Sequence, residues 1–371
     1  MVHPVSTSAS RQFPRRRTRG SVILLVLVTV LLAAFLLTKF VTRAGTELLA
    51  DARAGDQARL RREAYSALET TLAVLAEMRA IDQGLYSPAQ GWDRPLDYAD
   101  HIPGEGLTVE VAVEDESSKL SLPRADAAIL EALLVTLSLS LTEAERVSAA
   151  LLVWTRDDHV PASLDMDGSN YDRAVIPYQP AARPLRSFGE LAAVEVVQGL
   201  FFDEAGRPTR LARDFQSSVS LYSFDRVNLN TATPTVLAAG GLGLAQIDAL
   251  ADYARRGRNG SGAGFFHATS EATAILGAQT PLEKFGAEVK ALRITVTVKG
   301  GTTYHLSAVV APPGGATIAP TPPPKTPNSA GATSETATAD IKKLDYPFKV
   351  LEIREDAESP AMQPVDPVAH D

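Results

Sequence analysis

Ser21-Val-Ile-Leu-Leu-Val-Leu-Val-Thr-Val-Leu-Leu-Ala-Ala-Phe-Leu-Leu37 is an uncharged run bounded by Arg19 and Lys39. Its seventeen residues, taken as helix, reach about 26 Å, close to the roughly 30 Å hydrocarbon core of a bilayer. Lys39 can snorkel, so the span extends to Val41. Arg11, Arg15, Arg16, Arg17 and Arg19 precede the run, against Lys39 and Arg43 after it, which places the amino end in the cytoplasm. The competing reading is a secretory signal peptide, which needs a small-x-small cleavage site just past the apolar core. Ala33-Ala34 lies inside the core, and Thr38, Lys39, Phe40 and Val41 fit such a site poorly. The run therefore reads as a retained single-pass anchor.

The chain has 371 residues, 45% hydrophobic and 22% charged, enough for more than one domain with a real core. It contains no Cys, which excludes disulfide scaffolds, thiolate zinc sites, iron–sulfur clusters and cysteine nucleophiles. The net charge is −8, and the amino-terminal arginines leave the rest of the chain more acidic still, so nucleic acid is not an expected partner.

Beyond the anchor there is no Pro from Arg43 to Ile81, and Leu60, Ala64, Leu68, Leu72, Leu75 and Met78 recur near helical spacing. The anchor should continue as one long helix ended by Gly84, Pro88, Gly91 and Pro95. Leu107, Val109, Val111 and Val113 alternate with polar or small residues as in a half-buried strand. Ile294, Val296 and Val298, then Gly300-Gly301, then Tyr304, Leu306, Ala308 and Val310 predict a β-hairpin. Residues 312–343, rich in Pro, Thr, Ala and Ser, read as a loop or linker. Pro347–Ile353 suits a further strand, and residues 356–371 a disordered tail.

The middle, 117–288, is helical by pattern and carries a faint repeat. Lys119-Leu-Ser-Leu followed by Ala127–Leu134 and Thr142–Trp154 parallels Arg226-Val-Asn-Leu followed by Pro234–Ala239 and Leu244–Arg255. Two helix-turn-helix units stacked as an inserted domain are expected. The fold class is α+β: a long amino-terminal helix (21–42 in the membrane, 43–116 running into the first strand), an inserted α-helical domain (117–288) with helix-hairpin-like repeats, and the remaining strands (289–355).

The basic leader 1–20 ends in Gly20, and the apolar run starts at Ser21, which resembles a type IV prepilin leader cut between Gly20 and Ser21. Pilins of that type carry Glu at the fifth mature position, where this chain has Leu25. Glu114-Asp-Glu-Ser-Ser-Lys-Leu-Ser-Leu122, Pro184-Leu-Arg-Ser-Phe-Gly-Glu-Leu191 and Val227-Asn-Leu-Asn-Thr-Ala232, in this order of segments, resemble the K-type minor pseudopilins of the bacterial type II secretion system. That family also lacks the fifth-position Glu. The resemblance implies a pilin-like fold with an inserted helical domain, a non-enzymatic role at the pseudopilus tip, and an inner-membrane anchor with a periplasmic soluble part. It also implies partners: the I-type and J-type minor pseudopilins, the major pseudopilin and the prepilin peptidase, with Ile23 through Phe40 and the stripe Leu60, Ala64 and Leu68 as the contact face for sister subunits.

Other motifs admit plainer readings. Asn228-Leu-Asn-Thr-Ala with Gly241-Leu-Gly243 ahead of a helix resembles a helix-hairpin-helix unit, in which backbone amides hold a DNA phosphate. The alternative function is thus a membrane-anchored DNA-uptake protein. The residues after the turn, Leu244, Ala245, Gln246, Ile247 and Asp248, supply no cation, which favours a packed hairpin. Gly257, Gly260, Gly262 and Gly264 lack the strand and Lys-Ser/Thr pair of a P-loop and read as a loop before Phe265. No histidine pair has metal spacing and no serine sits in a nucleophile elbow, so no active site is expected. Asp157, Asp158, Asp165, Asp167 and Asp172 crowd a segment with Pro161, Gly168 and Asn170. Oxygen ligands on such a loop suit Ca²⁺, with Asp158, Asp165, Asp167 and Asp172 as ligands, though not as an EF-hand. The resemblance places calcium in the same region; a solvated acidic loop is the alternative.

Overall fold

The computed structural model describes residues 19–156, 171, 177–258, 264–319 and 347–355. The chain divides into two units, residues 1–59 and 60–371.

The described part of the first unit belongs wholly to helix α1 (Arg19–Asp82). The large apolar side chains from Ile23 to Val41 are exposed, as a bilayer-facing helix requires. Thr29, Thr38 and Thr42 donate to the carbonyls of Val26, Ala34 and Thr38 at 2.6–2.9 Å, which satisfies these three hydroxyls within the helix. Lys39 Nζ lies 5.7 Å from the Phe35 ring centroid, with its stem along the apolar surface.

The second unit starts with the rest of α1, which stops where Gln83 turns to φ 59°. Helix α2 (Pro95–Tyr98) follows, then strand β1 (Thr108–Asp115) and strand β2 (Leu120–Ser121). Helices α3 (Ala127–Thr136), α4 (Leu141–Thr155), α5 (Glu195–Phe201) and α6 (Arg210–Ser218) lead to the short strands β3 (Val219–Ser220), β4 (Tyr222–Ser223) and β5 (Val227–Asn228). Helices α7 (Pro234–Ala239), α8 (Leu244–Arg258) and α9 (Thr269–Leu276) precede β6 (Phe285–Gly286). The hairpin β7 (Leu292–Gly300) and β8 (Thr302–Ala311), then β9 (Thr317–Ile318) and β10 (Lys349–Glu355), complete the chain.

The antiparallel sheet runs β1-β7-β8-β10. The hairpin has the expected register, with Val298 opposite Tyr304, Val296 opposite Leu306 and Ile294 opposite Ala308; Gly301, at φ 79°, makes the turn. One sheet face packs on α1 through Leu60, Ala64, Ala67, Leu68, Val74, Leu75 and Met78. This corrects one expectation. Leu60, Ala64 and Leu68 are not a face for sister subunits, because they are at most 5% exposed under the chain's own sheet. Helical periodicity marks a face to be buried without saying what buries it.

The inserted domain has its own core, to which α3, α4, α7 and α8 all contribute. Both predicted repeats are present, and they match in detail. Each starts with a short strand, β2 or β5, closed by a parallel partner, β3 or β6 respectively. The second helix of each hairpin begins with an exposed leucine, Leu141 or Leu244. Three residues after the cap, Glu143 accepts from the Ser140 amide at 3.0 Å, as Gln246 does from the Gly243 amide at 2.9 Å. The expected 312–343 linker contains β9, which pairs with β4. Gly314 at φ 73° turns the chain, and Ala316 N donates to Lys290 O at 2.7 Å.

Candidate functional site

Two of the three stretches singled out by sequence, 114–122 and 227–232, meet in a buried polar clasp between the sheet and the inserted domain. Asp115, the last residue of β1, is the centre and is 5% exposed. Its Oδ1 accepts from Ser117 N at 2.8 Å and Ser117 Oγ at 2.5 Å. Its Oδ2 accepts from Asn228 Nδ2 at 2.7 Å and Thr231 Oγ1 at 2.5 Å. Burial pushes the carboxyl above the usual carboxylate range, and these four donors only partly offset that.

Asn228 is fully buried. It also donates to Tyr86 O at 2.9 Å and accepts from Asn230 N at 3.1 Å. Asn230 in turn bonds Phe266 O, Phe266 N and Ala287 O at 2.7–2.9 Å. Ser117 Oγ takes the Lys290 amide at 2.8 Å. The network thus ties β1, the segment after α1, the second repeat and the entry to β7 into one body, with every named group satisfied.

A charged triad lies beside it. Glu116, 2% exposed, receives Arg293 Nε at 2.6 Å and lies 3.5 Å from Lys119 Nζ. Burial alone would raise Glu116, but the two cations outweigh it and hold the carboxyl below its usual range. Lys119 is shared with Glu114 at 2.8 Å.

The third stretch, 184–191, lies in the helical domain's own core. Leu185 and Leu191 are buried, and Glu190 pairs with Arg183 at 3.0 Å while accepting the Arg186 amide at 2.9 Å. The residue that sequence reasoning left without a role is Asp115. Its only signal was an acid placed between a strand pattern and two serines.

At the amino end, Gly20 and Ser21 fall in the opening turn of α1. Leu25 is exposed in the apolar span. The calcium candidates Asp158, Asp165, Asp167 and Asp172, with Asp157, lie outside the described residues, as does the 356–371 tail. Among the described residues no group of three or more His, Asp or Glu side chains is placed to hold a metal. Bordering the acidic segment, Trp154, Tyr171 and Tyr178 form an aromatic cluster with ring centroids 5.1–6.1 Å apart. Burial pushes the Tyr171 hydroxyl up to about 12.

In the hairpin that resembles a phosphate-binding unit, the Gly243 amide is taken by Gln246 Oε1. Gln246 Nε2 donates to Leu276 O at 3.1 Å and Thr280 Oγ1 at 2.7 Å, which fastens the turn to the segment after α9. In the glycine-rich stretch, Gly264 has a packing reason. It sits at φ 71°, and a Cβ there would lie 2.6 Å from Gly257 Cα.

Residues 111–204 match the sequence model of the family described as type II secretion system (T2SS), protein K. No curated protein sequence matches the chain. Among solved structures, the chain is similar to one from the GspK-GspI-GspJ complex of the enterotoxigenic Escherichia coli type 2 secretion system. The identity is 13% and the TM-score 0.51, over 82% of this chain and 99% of that one. At that identity the likeness speaks for the fold: a long helix, a small antiparallel sheet and an inserted helical domain.

Proposed function

We infer that this chain, a K-type minor pseudopilin of type II secretion by its family match and its fold, caps the tip of the periplasmic pseudopilus and initiates its assembly. The observation that carries this is the shared fold over nearly the whole of a chain from a complex that also holds GspI and GspJ. I-type and J-type minor pseudopilins are accordingly the proposed partners here, with the major pseudopilin below them.

Leu25 supports an end position. In a bundle of apolar helices, a fifth-position carboxylate neutralises the amino terminus of the next subunit, and an unpaired buried charge is costly. A terminal subunit has no amine above it to neutralise. The basic leader supports a cytoplasmic amino end, an inner-membrane span in α1 and a periplasmic second unit. Prepilin peptidase cutting between Gly20 and Ser21 gives a mature chain that keeps its anchor. Calcium bound by Asp158, Asp165, Asp167 and Asp172 belongs to the same proposal, supported by a donor set of carboxylate oxygens that suits a hard cation.

The test is co-purification of the full chain with the I-type and J-type proteins of its own system. A stable ternary complex is the expected result, and a chain that joins neither defeats the tip reading. Amino-terminal sequencing should find Ser21, and Gly20→Leu should block processing. A start near Thr38 would mean an ordinary signal peptide instead.

A further inference from the structure

The segment Gly286 to Lys290 serves the clasp through the Ala287 carbonyl and the Lys290 amide, and it also lines a cleft of about 610 Å³. Built ligand sites occupy roughly 300–1,000 Å³. A second wall runs from Ser223 to Arg226, and a third is the turn Gly314-Gly315 with Thr317.

These walls are fixed to one another. Ser223 pairs with Thr317 across β4 and β9, and Asn228 with Gly286 across β5 and β6. A Cβ on Gly315 would lie 2.5 Å from Lys290 O, so that turn rests directly on the first wall. A Cβ on Gly286 would lie 3.3 Å from Arg226 Cβ, so the arginine stem lies against a bare glycine. His267, also in the lining, has its amide held by Glu271 at 3.0 Å and its ring 4.8 Å from that of Tyr86. The cleft is therefore preformed, and a ligand entering it need not order it first.

Charge sets what the cleft can take. Three cations, Arg124, Arg226 and Lys290, share the lining with two acids, Asp225 and Glu288. Lys290 is engaged by Glu288 at 2.6 Å, and Arg124 by Asp225. Among the described residues no acid is paired with Arg226, which is exposed. A free guanidinium grips a carboxylate through two parallel bonds. The chain as a whole carries −8, which repels an extended polyanion such as a nucleic acid and leaves single carboxylates as the fitting charge. Gly286, Gly314 and Gly315 leave main chain bare in the lining, where another backbone can come close.

We propose that this cleft is a docking groove for an extended acidic segment of a partner protein. Arg226 holds one Asp or Glu carboxylate of that segment, and the glycine-lined walls take its backbone.

The test starts from full-length chain in detergent, panned against displayed random heptapeptides, with the selected sequences then made as fluorescent peptides. The expected peptides share an Asp or Glu at one position. Changing that acid to its amide, or Arg226 to Gln in the protein, should each weaken binding about five- to tenfold, and the two together little further. R226K should restore part of the loss, since it returns the charge without the fork. R210Q, which removes an exposed arginine of α6 outside the cleft, should change nothing. Because Arg226 is exposed, R226Q should keep the parent unfolding midpoint in urea. Should R226Q not fold, K290Q in the same cleft carries the test. Peptides selected without an acid, equal binding by R226Q and parent, or an equal loss with R210Q would each overturn the proposal. Displacement by millimolar inorganic phosphate, or tighter binding of duplex DNA than of the peptides, would assign the cleft to another ligand class and overturn it too.

Discussion

Asn228→Ala removes the bridge of the clasp and should uncouple the two cores of the second unit. Asn228 makes three hydrogen bonds at zero exposure. Truncation strands the Tyr86 carbonyl and the Asn230 amide and leaves Asp115 Oδ2 with Thr231 alone. At about 1–3 kcal/mol for each stranded buried group, the loss comes to about 3–5 kcal/mol, a large part of a typical total of 5–15 kcal/mol. The chain carries its own probes. It has two tryptophans, both buried: Trp92 in the α1–sheet core and Trp154 in the helical core. Urea unfolding of detergent-solubilised full-length chain, followed by fluorescence in W92F and W154F backgrounds, reads each core separately. With Asn228 in place the two midpoints should coincide. In the variant the Trp154 midpoint should fall by roughly 1–2 M while Trp92 moves less. If both probes report stabilities within about 0.5 kcal/mol of the parent, the clasp does not couple the domains and the reasoning is wrong.

Burial raises the Asp115 carboxyl, so stability should fall as pH climbs from about 4 towards its native value, and D115N should flatten that limb in melts taken across pH 4–7. Glu116 and Glu355, held down in the fold, act in the opposite sense, and their contribution should be lost as pH drops below about 4.3. Gly264→Ala meets a left-handed φ and the Gly257 backbone at once and should lower the stability reported by Trp154 by about 2–4 kcal/mol, whereas Gly206→Ala, at a similar φ in open space, should cost about 1 kcal/mol. If the acidic segment binds calcium, saturation at a hundred times Kd should stabilise the helical domain by about 2.7 kcal/mol. An unchanged Trp154 melt with and without chelator, with no calcium by elemental analysis, would leave a solvated loop.

Much of the architecture was legible in the residues. The uncharged run 21–37 between Arg19 and Lys39, the absence of Pro up to Ile81, the period-two pattern around Gly300-Gly301 and the repeated helical patterns Thr142–Trp154 and Leu244–Arg255 all act over a few residues. Local periodicity and the placing of charge, Pro and Gly are therefore enough to read them. The buried stripe at Leu60, Ala64 and Leu68 was legible as a face but not as to its partner, since a neighbouring subunit and the chain's own sheet call for the same side chains. The clasp was not legible. Asp115 and Asn228 are 113 positions apart, and each alone looks like an ordinary turn residue. The parallel closures of β2 on β3 and of β5 on β6, and the fastening of β10 by Glu355 to Arg61, Tyr65 and Tyr304, likewise join distant segments. Sequence by itself determined which elements form and which faces must leave water, because those follow from spacing along one chain. Tertiary structure alone decided which buried donor meets which buried acceptor, because that depends on segments that come together only once the cores have closed.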